Sequence, residues 1–128
     1  MTGILLDTHV LLWASALPER LGPLAAALLL DEGVELFVSS VSAAEITIKQ
    51  SIGKLETNVE PSQLLGPIGA TELPLSIDHA TSTRRLPLMH RDPFDRLLIA
   101  QAVREGLTLM TADEKVLRYQ VSLFDARL

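Results

Sequence analysis

The order of apolar and polar residues divides the chain into short strands that alternate with helices. Ile4, Leu5 and Leu6 are three apolar residues in a row, which is typical of a strand buried on both faces of a parallel sheet. Similar short runs predict further strands at 35–38, 71–75, 107–110 and 120–124. Because helical segments separate these strands, we expect parallel pairing and an α/β fold.

The segments between the strands carry helical spacing or helix-capping residues. They predict helices over 9–16, 21–31, 41–52, 62–65, 76–86 and 94–104, with a short helix after Asp113. Gly33 and Gly106 stand just after predicted helices and are expected to end them.

The third predicted helix, over 41–52, has an apolar face with an acidic residue beside it. Val41, Ala44, Ile48 and Ile52 recur at helical spacing, which predicts a buried apolar stripe. Glu45 lies beside that stripe, in the first half of the helix. We therefore expect Glu45 to lie close to the edge of the sheet.

Length and composition narrow the class of protein. The 128 residues suit one domain, over 1–128, and the absence of cysteine excludes disulfides and thiolate zinc sites. The longest apolar run, 24–30, is too short to span a membrane, and no signal peptide is recognisable at the N-terminus. We expect a cytoplasmic protein without membrane contact.

Charge is distributed unevenly along the chain. The net charge of -5 argues against a general coat of phosphate-binding surface. Basic residues nevertheless cluster near the acids Asp92 and Asp95, at positions 84, 85, 91 and 96. This juxtaposition suits an anionic substrate held at an acidic pocket, although it is equally typical of a solvated helix face.

Four carboxylates are expected at one edge of the sheet. Asp7 and Asp113 each follow a strand, and Glu45 and Asp95 lie early in helices that begin at that edge. Clustered carboxylates repel one another, so they need a cation, and oxygen ligands suit Mg²⁺ or Mn²⁺. The chemistry that follows is phosphodiester hydrolysis by a metal-activated water. For Asp7 alone, a role as N-cap of the next helix is an open alternative.

Four sequence blocks carry a resemblance to a known family. They are Leu5–His9, Ser40–Ile46 with Lys49 and Gly53–Leu55, His90–Arg96, and Thr111–Asp113. Together they resemble PIN-domain ribonucleases, most of all the VapC toxin subunits of VapBC toxin–antitoxin pairs, over nearly the whole chain. The resemblance implies a three-layer α/β/α PIN-like fold with a mainly parallel sheet of four to five strands.

The resemblance also implies a site and partners. Asp7 and Asp95 match the family's metal-ligating acids, Glu45 and Asp113 complete its acidic pocket, and Thr8 and Thr111 match supporting polar positions. The family's members are endoribonucleases that use Mg²⁺ or Mn²⁺, pair as homodimers and are inhibited by a small VapB-like antitoxin. Ala44 departs from the bulky Trp of many relatives, which is expected to loosen packing behind Glu45.

Several other polar residues have two interpretations. Lys49, Arg91 and Arg96 are candidate RNA contacts, but Lys49 also lies at the right spacing to pair with Glu45, and Arg96 is similarly ambiguous beside Asp95. The remaining side chains are expected to be structural: Asp92 as a turn or helix-cap residue, His9 and His90 as hydrogen-bonded packing residues, and Trp13 in the core or at a dimer surface.

Three other functions compete with a nuclease. A receiver-like signalling module needs an acidic pair after the first strand, but Thr8 and His9 follow Asp7, and no phospho-acceptor follows Leu75. A phosphatase of the haloacid dehalogenase type needs an Asp where His9 stands. A degenerate PIN domain, which binds partners without cleaving RNA, is disfavoured because all four acids are present.

Overall fold

A parallel sheet forms the centre of the protein. The computed structural model describes residues 3–128. The first two residues of the expected domain, 1–128, lie outside the described range. Over this range the strands are β1 (Gly3–Leu6), β2 (Glu35–Ser39), β3 (Ala70–Leu73), β4 (Thr108–Thr111) and β5 (Leu123–Asp125). Their order is β3-β2-β1-β4-β5, and each of the four pairings is parallel. The α/β class and the parallel sheet are confirmed.

Helices connect these strands. They are α1 (Thr8–Ala16), α2 (Pro23–Leu30), α3 (Ser40–Ser51), α4 (Leu65–Ile68), α5 (Ile77–Ser82) and α6 (Pro93–Glu105). Short 3₁₀ turns occupy Pro18–Arg20, Pro61–Gln63 and Thr83–Arg85. None of the helices between residues 3 and 128 has the length and apolarity to cross a membrane, the longest having 13 residues.

The apolar run of β1 is divided between two cores. Ile4 and Leu6 pack in one cluster with apolar residues of α1 and α2, whereas Leu5 packs in a second cluster with Leu98 and Ile99 of α6. All three β1 side chains are fully buried. Because alternate side chains of a strand point to opposite faces, helices covering both faces require an unbroken apolar run.

The two glycines expected to end helices behave differently. Gly106 follows α6 with φ +67°, a left-handed conformation that glycine adopts at little cost, so this prediction is confirmed. The prediction for Gly33 is wrong. Helix α2 ends at Leu30, and the Asp31 carboxylate accepts the N–H of Gly33 at 2.8 Å, which forms an Asx turn without a positive φ at Gly33.

The prediction of which face of α3 is buried is also wrong. Val41 is buried, but Ala44, Ile48 and Ile52 are exposed. The buried face consists instead of Val41, Ser42, Glu45 and Ile46. Since α3 follows β2 without a break, its first turns lie at the strand ends and turn polar side chains toward them.

Other boundaries differ by a few residues from those predicted. The predicted helix over 76–86 is divided at Thr83 into α5 and a 3₁₀ turn, and the helix expected after Asp113 is absent, residues 114–118 forming turns. The Asp113 carboxylate accepts the N–H of Lys115 at 2.8 Å and the Asp113 carbonyl accepts the N–H of Leu117 at 2.9 Å, so the segment forms a capped turn that does not continue as a helix. The last strand begins at Leu123 instead of Gln120.

Candidate metal centre

Asp7 follows β1 directly, at the carboxyl end of the central strand. Its N–H donates to the Met110 carbonyl at 3.0 Å, which extends the β1–β4 pairing. Its Oδ1 accepts the N–H of Val10 at 2.8 Å, and its Oδ2 accepts the Thr111 hydroxyl at 2.5 Å. Burial raises the pKa of Asp7, although both hydrogen bonds act in the opposite direction. Asp7 is thus both the N-cap of α1 and a buried carboxylate beside β4.

Glu45 reaches the same edge from the second turn of α3. Ser39 caps this helix by accepting the N–H of Val41 at 2.9 Å, so that α3 begins where β2 ends. The Glu45 side chain is buried, its Oε1 accepting the Thr8 hydroxyl at 2.6 Å and its Oε2 lying 2.5 Å from the Lys49 ammonium. Both oxygens of this carboxylate therefore have partners, which a buried charge requires.

Asp95 is the third residue of α6. The Asp92 carboxylate caps this helix and accepts the N–H of Asp95 at 3.2 Å, which confirms the expected capping role of Asp92. Burial raises the pKa of Asp95 to about 6, opposed by a 2.7 Å hydrogen bond to Nε2 of His90. The negative charges of Asp92, Asp7 and Asp113 raise this pKa further.

Asp113 lies two residues beyond β4. Its backbone N–H donates to the Thr111 hydroxyl oxygen at 3.1 Å, and the hydrogen of the same hydroxyl is donated to Asp7. Ligand atoms of Asp113, Asp95 and His90 all lie within 4.8 Å of one another. Thr111 therefore links the two acids that follow neighbouring parallel strands.

The four predicted acids interact with one another through their charges. Asp7 and Asp113 both raise the pKa of Asp95, and Glu45 raises the pKa of Asp7. These residues come from two strand ends and two helices, spread over more than a hundred positions. The structure therefore brings them to the carboxyl edge of the sheet, on either side of β1, where the chain switches from one half of the sheet to the other.

The donor set fits a hard divalent cation. Carboxylate oxygens predominate, and a raised pKa at Asp95 means that its charge is poorly compensated by the protein alone. Lys49 compensates Glu45, so the uncompensated charge lies mainly on the three aspartates. A divalent cation that takes oxygen ligands would supply the positive charge that this cluster lacks.

The basic residues near the centre differ in their contacts. The Lys49 ammonium pairs with Glu45, and this hydrogen bond raises the pKa of Lys49. Of the two interpretations that the sequence allowed for Lys49, an RNA contact or an ion pair with Glu45, the structure contains the ion pair. Arg91 is exposed. The Arg96 guanidinium donates to the main-chain carbonyl oxygens of Thr83 and Pro87, both at 2.9 Å, and not to Asp95.

The partner of one residue of this centre was not predicted from the sequence. His90 was expected to be a structural, hydrogen-bonded packing residue, and its hydrogen-bonding partner is Asp95, within the acidic cluster. The available signal was its position in the same sequence block, five residues before Asp95. A lone histidine beside apolar residues gives no direction for its ring, so the pattern did not identify this partner.

We expect that Thr8→Val lowers the free energy of unfolding by about 1–3 kcal/mol, because it leaves a buried oxygen of Glu45 without its donor. Thr8→Ser keeps the hydroxyl and serves as the matched control, with a smaller loss. Urea denaturation of the three proteins measures the difference. Equal stability of Thr8→Val and the unaltered protein would show that Glu45 does not depend on this donor.

The topology and the acidic edge together are those of one family of domains. The family model described as PIN domain matches residues 4–121. The chain therefore belongs to the PIN-domain family.

Individual relatives agree with this assignment. Ribonuclease VapC22 of Mycobacterium tuberculosis (strain ATCC 25618 / H37Rv) is 29% identical over 119 residues, which cover 91% of each chain. The fold is similar to that of VapBC2 from Rickettsia felis, solved with a promoter DNA fragment, with a TM-score of 0.69, 17% identity and 96% and 98% of the two chains covered. The fold is also similar to that of a toxin–antitoxin complex from Klebsiella pneumoniae, with a TM-score of 0.66 and 17% identity, over 96% of this chain and 97% of the other.

Proposed function

We propose that this protein is a Mg²⁺- or Mn²⁺-dependent endoribonuclease, built as one PIN domain over residues 1–128, and the toxin of a toxin–antitoxin pair. The observation that carries the proposal is the gathering of Asp7, Asp95 and Asp113 at one sheet edge, where burial, and after it the charges of Asp92, Asp7 and Asp113, raise the pKa of Asp95 to about 6. A protein gains nothing in stability from such a cluster, so a bound cation accounts for it better than folding does.

The residues proposed to hold the ion are Asp7, Asp95 and Asp113, with Glu45 completing the pocket. When bound, Mg²⁺ or Mn²⁺ lowers the pKa of a water that attacks phosphorus and neutralises the charge developing on the leaving oxygen. The ordinary ligands of these ions are carboxylates, waters and substrate phosphates, which agrees with the donor set.

The surrounding residues are proposed to fix the carboxylates in place. The Thr111 hydroxyl donates to Asp7, and the Thr8 hydroxyl donates to Glu45. Lys49 neutralises Glu45, so the pocket is less negative than four acids would make it. Arg91 is the exposed basic residue of the predicted set and is proposed to contact an RNA phosphate.

The proposed partners follow from the family. The relative named Ribonuclease VapC22 supports RNA as the substrate class, and the similar toxin–antitoxin complexes support a small VapB-like antitoxin. We propose a homodimer located in the cytoplasm, where both the RNA and the antitoxin would be available. The absence of cysteine agrees with a reducing compartment.

Metal-dependent cleavage of labelled single-stranded RNA tests the function. We expect the full chain to cleave the RNA with Mn²⁺ or Mg²⁺. Cleavage should stop when EDTA is added, because EDTA removes the metal ion that neutralises the carboxylate cluster. A degenerate PIN domain would bind the RNA without cleaving it, and a receiver-like module would do neither. Cleavage that persists in EDTA, or no cleavage with either metal, would overturn the proposal.

A further inference from the structure

An arginine and a tyrosine hold the segment that precedes α6. Residues 87–92 form neither helix nor strand, and they carry His90. The Arg96 guanidinium donates to the Pro87 carbonyl through one nitrogen and to the Thr83 carbonyl through the other, both at 2.9 Å. Arg96 therefore joins the first turn of α6 to the chain on both sides of Leu86.

The Tyr119 hydroxyl completes this network. It donates to the Pro87 carbonyl at 3.1 Å, and it accepts from the Arg96 guanidinium at 3.2 Å and from the His90 backbone N–H at 3.1 Å. Tyr119 comes from the turn after β4 and is only 3% exposed. One hydroxyl thus fixes both ends of the 87–90 segment against a buried part of the core.

The held segment ends on the acidic cluster. The His90 ring lies 2.7 Å from Oδ2 of Asp95, and its ligand atoms are within 4.8 Å of those of Asp95 and Asp113. A histidine at this distance fixes which way the carboxylate faces, provided that its own backbone is held. The bond from His90 N–H to Tyr119 supplies that restraint.

We propose that Arg96 and Tyr119 are positioning residues of the metal centre, which hold His90 so that its ring orients Asp95 toward the ion. The inference rests on the proposed function and deepens it. It also replaces the sequence-based interpretation of Arg96 as a candidate RNA contact, since the guanidinium already donates to three main-chain carbonyls and one hydroxyl. Lysine cannot reproduce that forked donation, which makes Arg96→Lys an informative substitution.

The ring of Tyr119 and its hydroxyl have separable roles. The ring packs in the core cluster of Leu5, Leu98 and Val116, whereas each hydrogen bond of the hydroxyl goes to the segment that carries His90 or to Arg96. Tyr119→Phe keeps the ring and removes only the hydroxyl. Thr108→Val is a matched control, because it removes a buried hydroxyl, bonded to Ser122 at 2.7 Å, at the opposite end of β4.

Calorimetric titration of the full chain with MnCl₂, without RNA, gives the first readout. We expect Tyr119→Phe and Arg96→Lys each to weaken Mn²⁺ affinity about tenfold, the lower end of what outer-shell changes cost, while Thr108→Val leaves it within about twofold. In RNA cleavage the same two variants should lower kcat with KM nearly unchanged. A raised KM for Arg96→Lys with normal Mn²⁺ affinity would instead identify an RNA contact and overturn the proposal.

Hydrogen exchange of the His90 amide in metal-free protein gives an independent readout. We expect the amide to exchange at least tenfold faster in Tyr119→Phe than in Thr108→Val, because only the former loses the acceptor of that N–H. Unchanged exchange and unchanged Mn²⁺ affinity in Tyr119→Phe would overturn the positioning role. Failure of the unaltered protein to bind Mn²⁺ or cleave RNA would instead overturn the proposed function, and the exchange measurement separates the two cases.

Discussion

Asp95→Asn is expected to abolish RNA cleavage and at the same time to stabilise the metal-free protein. The substitution removes a ligand of the proposed ion, so cleavage should fall to background. It also removes a charge that the fold tolerates poorly, because burial and neighbouring acids raise the pKa of Asp95 to about 6. Asparagine retains an oxygen that can accept from His90.

The size and pH dependence of this gain follow from the raised pKa. A rise from 3.8 to about 6 corresponds to a penalty of about 3 kcal/mol when the group is ionised in both states. The penalty is complete above pH 6 and disappears as the pH falls toward 4, since the folded protein binds the proton more tightly than the unfolded chain does. Asp95→Asn should therefore gain stability at pH 7.5 and little at pH 4.

Chemical denaturation at both pH values, with EDTA present, measures this gain beside the cleavage assay. Glu32→Gln is the control, because Glu32 is exposed and its loss removes one negative charge without touching the centre. We expect the control to cleave RNA normally and to change stability by less than about 0.5 kcal/mol. Normal cleavage by Asp95→Asn would remove this residue from the proposed ligands, whatever its stability.

A pair of substitutions at Asp7 is expected to separate its two roles. Both Asp7→Asn and Asp7→Ala should lose cleavage, because neither supplies a carboxylate to the ion. Only the alanine variant also loses the side-chain oxygen that accepts the N–H of Val10. Asparagine caps helices about as well as aspartate, so Asp7→Asn should be the more stable of the two by about 1 kcal/mol.

Stability and cleavage measured on the same preparations distinguish the outcomes for Asp7. Burial raises its pKa, so removing the charge in Asp7→Asn should leave stability unchanged or increase it in metal-free protein. If Asp7→Asn cleaved RNA as well as the unaltered protein, capping would be the whole role of this residue. Equal stability of the two variants would show instead that the cap contributes little.

The parts of the fold that depend on local sequence were predictable. The apolar run at 4–6 defined β1, and Asp92 with Gly106 marked the ends of α6 because cap geometry depends on residues near in sequence. The position of the acids was also predictable in outline. Parallel strands end at a common edge, so Asp7 and Asp113 had to be near each other once β1 and β4 were neighbours.

The orientation of α3 could not be predicted from its own sequence. Its apolar spacing favoured a face containing Ile48, yet Glu45 is the buried residue. The Thr8 hydroxyl, 37 residues away in sequence, donates to the buried Glu45 carboxylate. This hydrogen bond stabilises the buried carboxylate only after α1 and α3 have packed together. Helical periodicity does not contain that information.

The contacts of Arg96 could not be predicted for a similar reason. Its two shortest hydrogen bonds go to the main-chain carbonyl oxygens of Thr83 and Pro87, and every residue type offers such an oxygen. A sequence motif therefore cannot mark them. Its positive charge suggested a phosphate contact as one interpretation. In the folded protein the guanidinium donates to backbone carbonyl oxygens instead.

The Thr111 hydroxyl has a consequence for the proposed ion. Its hydrogen goes to Asp7 and its oxygen accepts from the N–H of Asp113, so neither bond depends on a bound cation. The gap between the ends of β1 and β4 is thereby set when the protein folds. The Asp113 carboxylate itself accepts the N–H of Lys115. An arriving Mg²⁺ would therefore meet two carboxylates that are already held, and shedding its own tightly held waters would limit the speed of its entry more than any rearrangement of the chain.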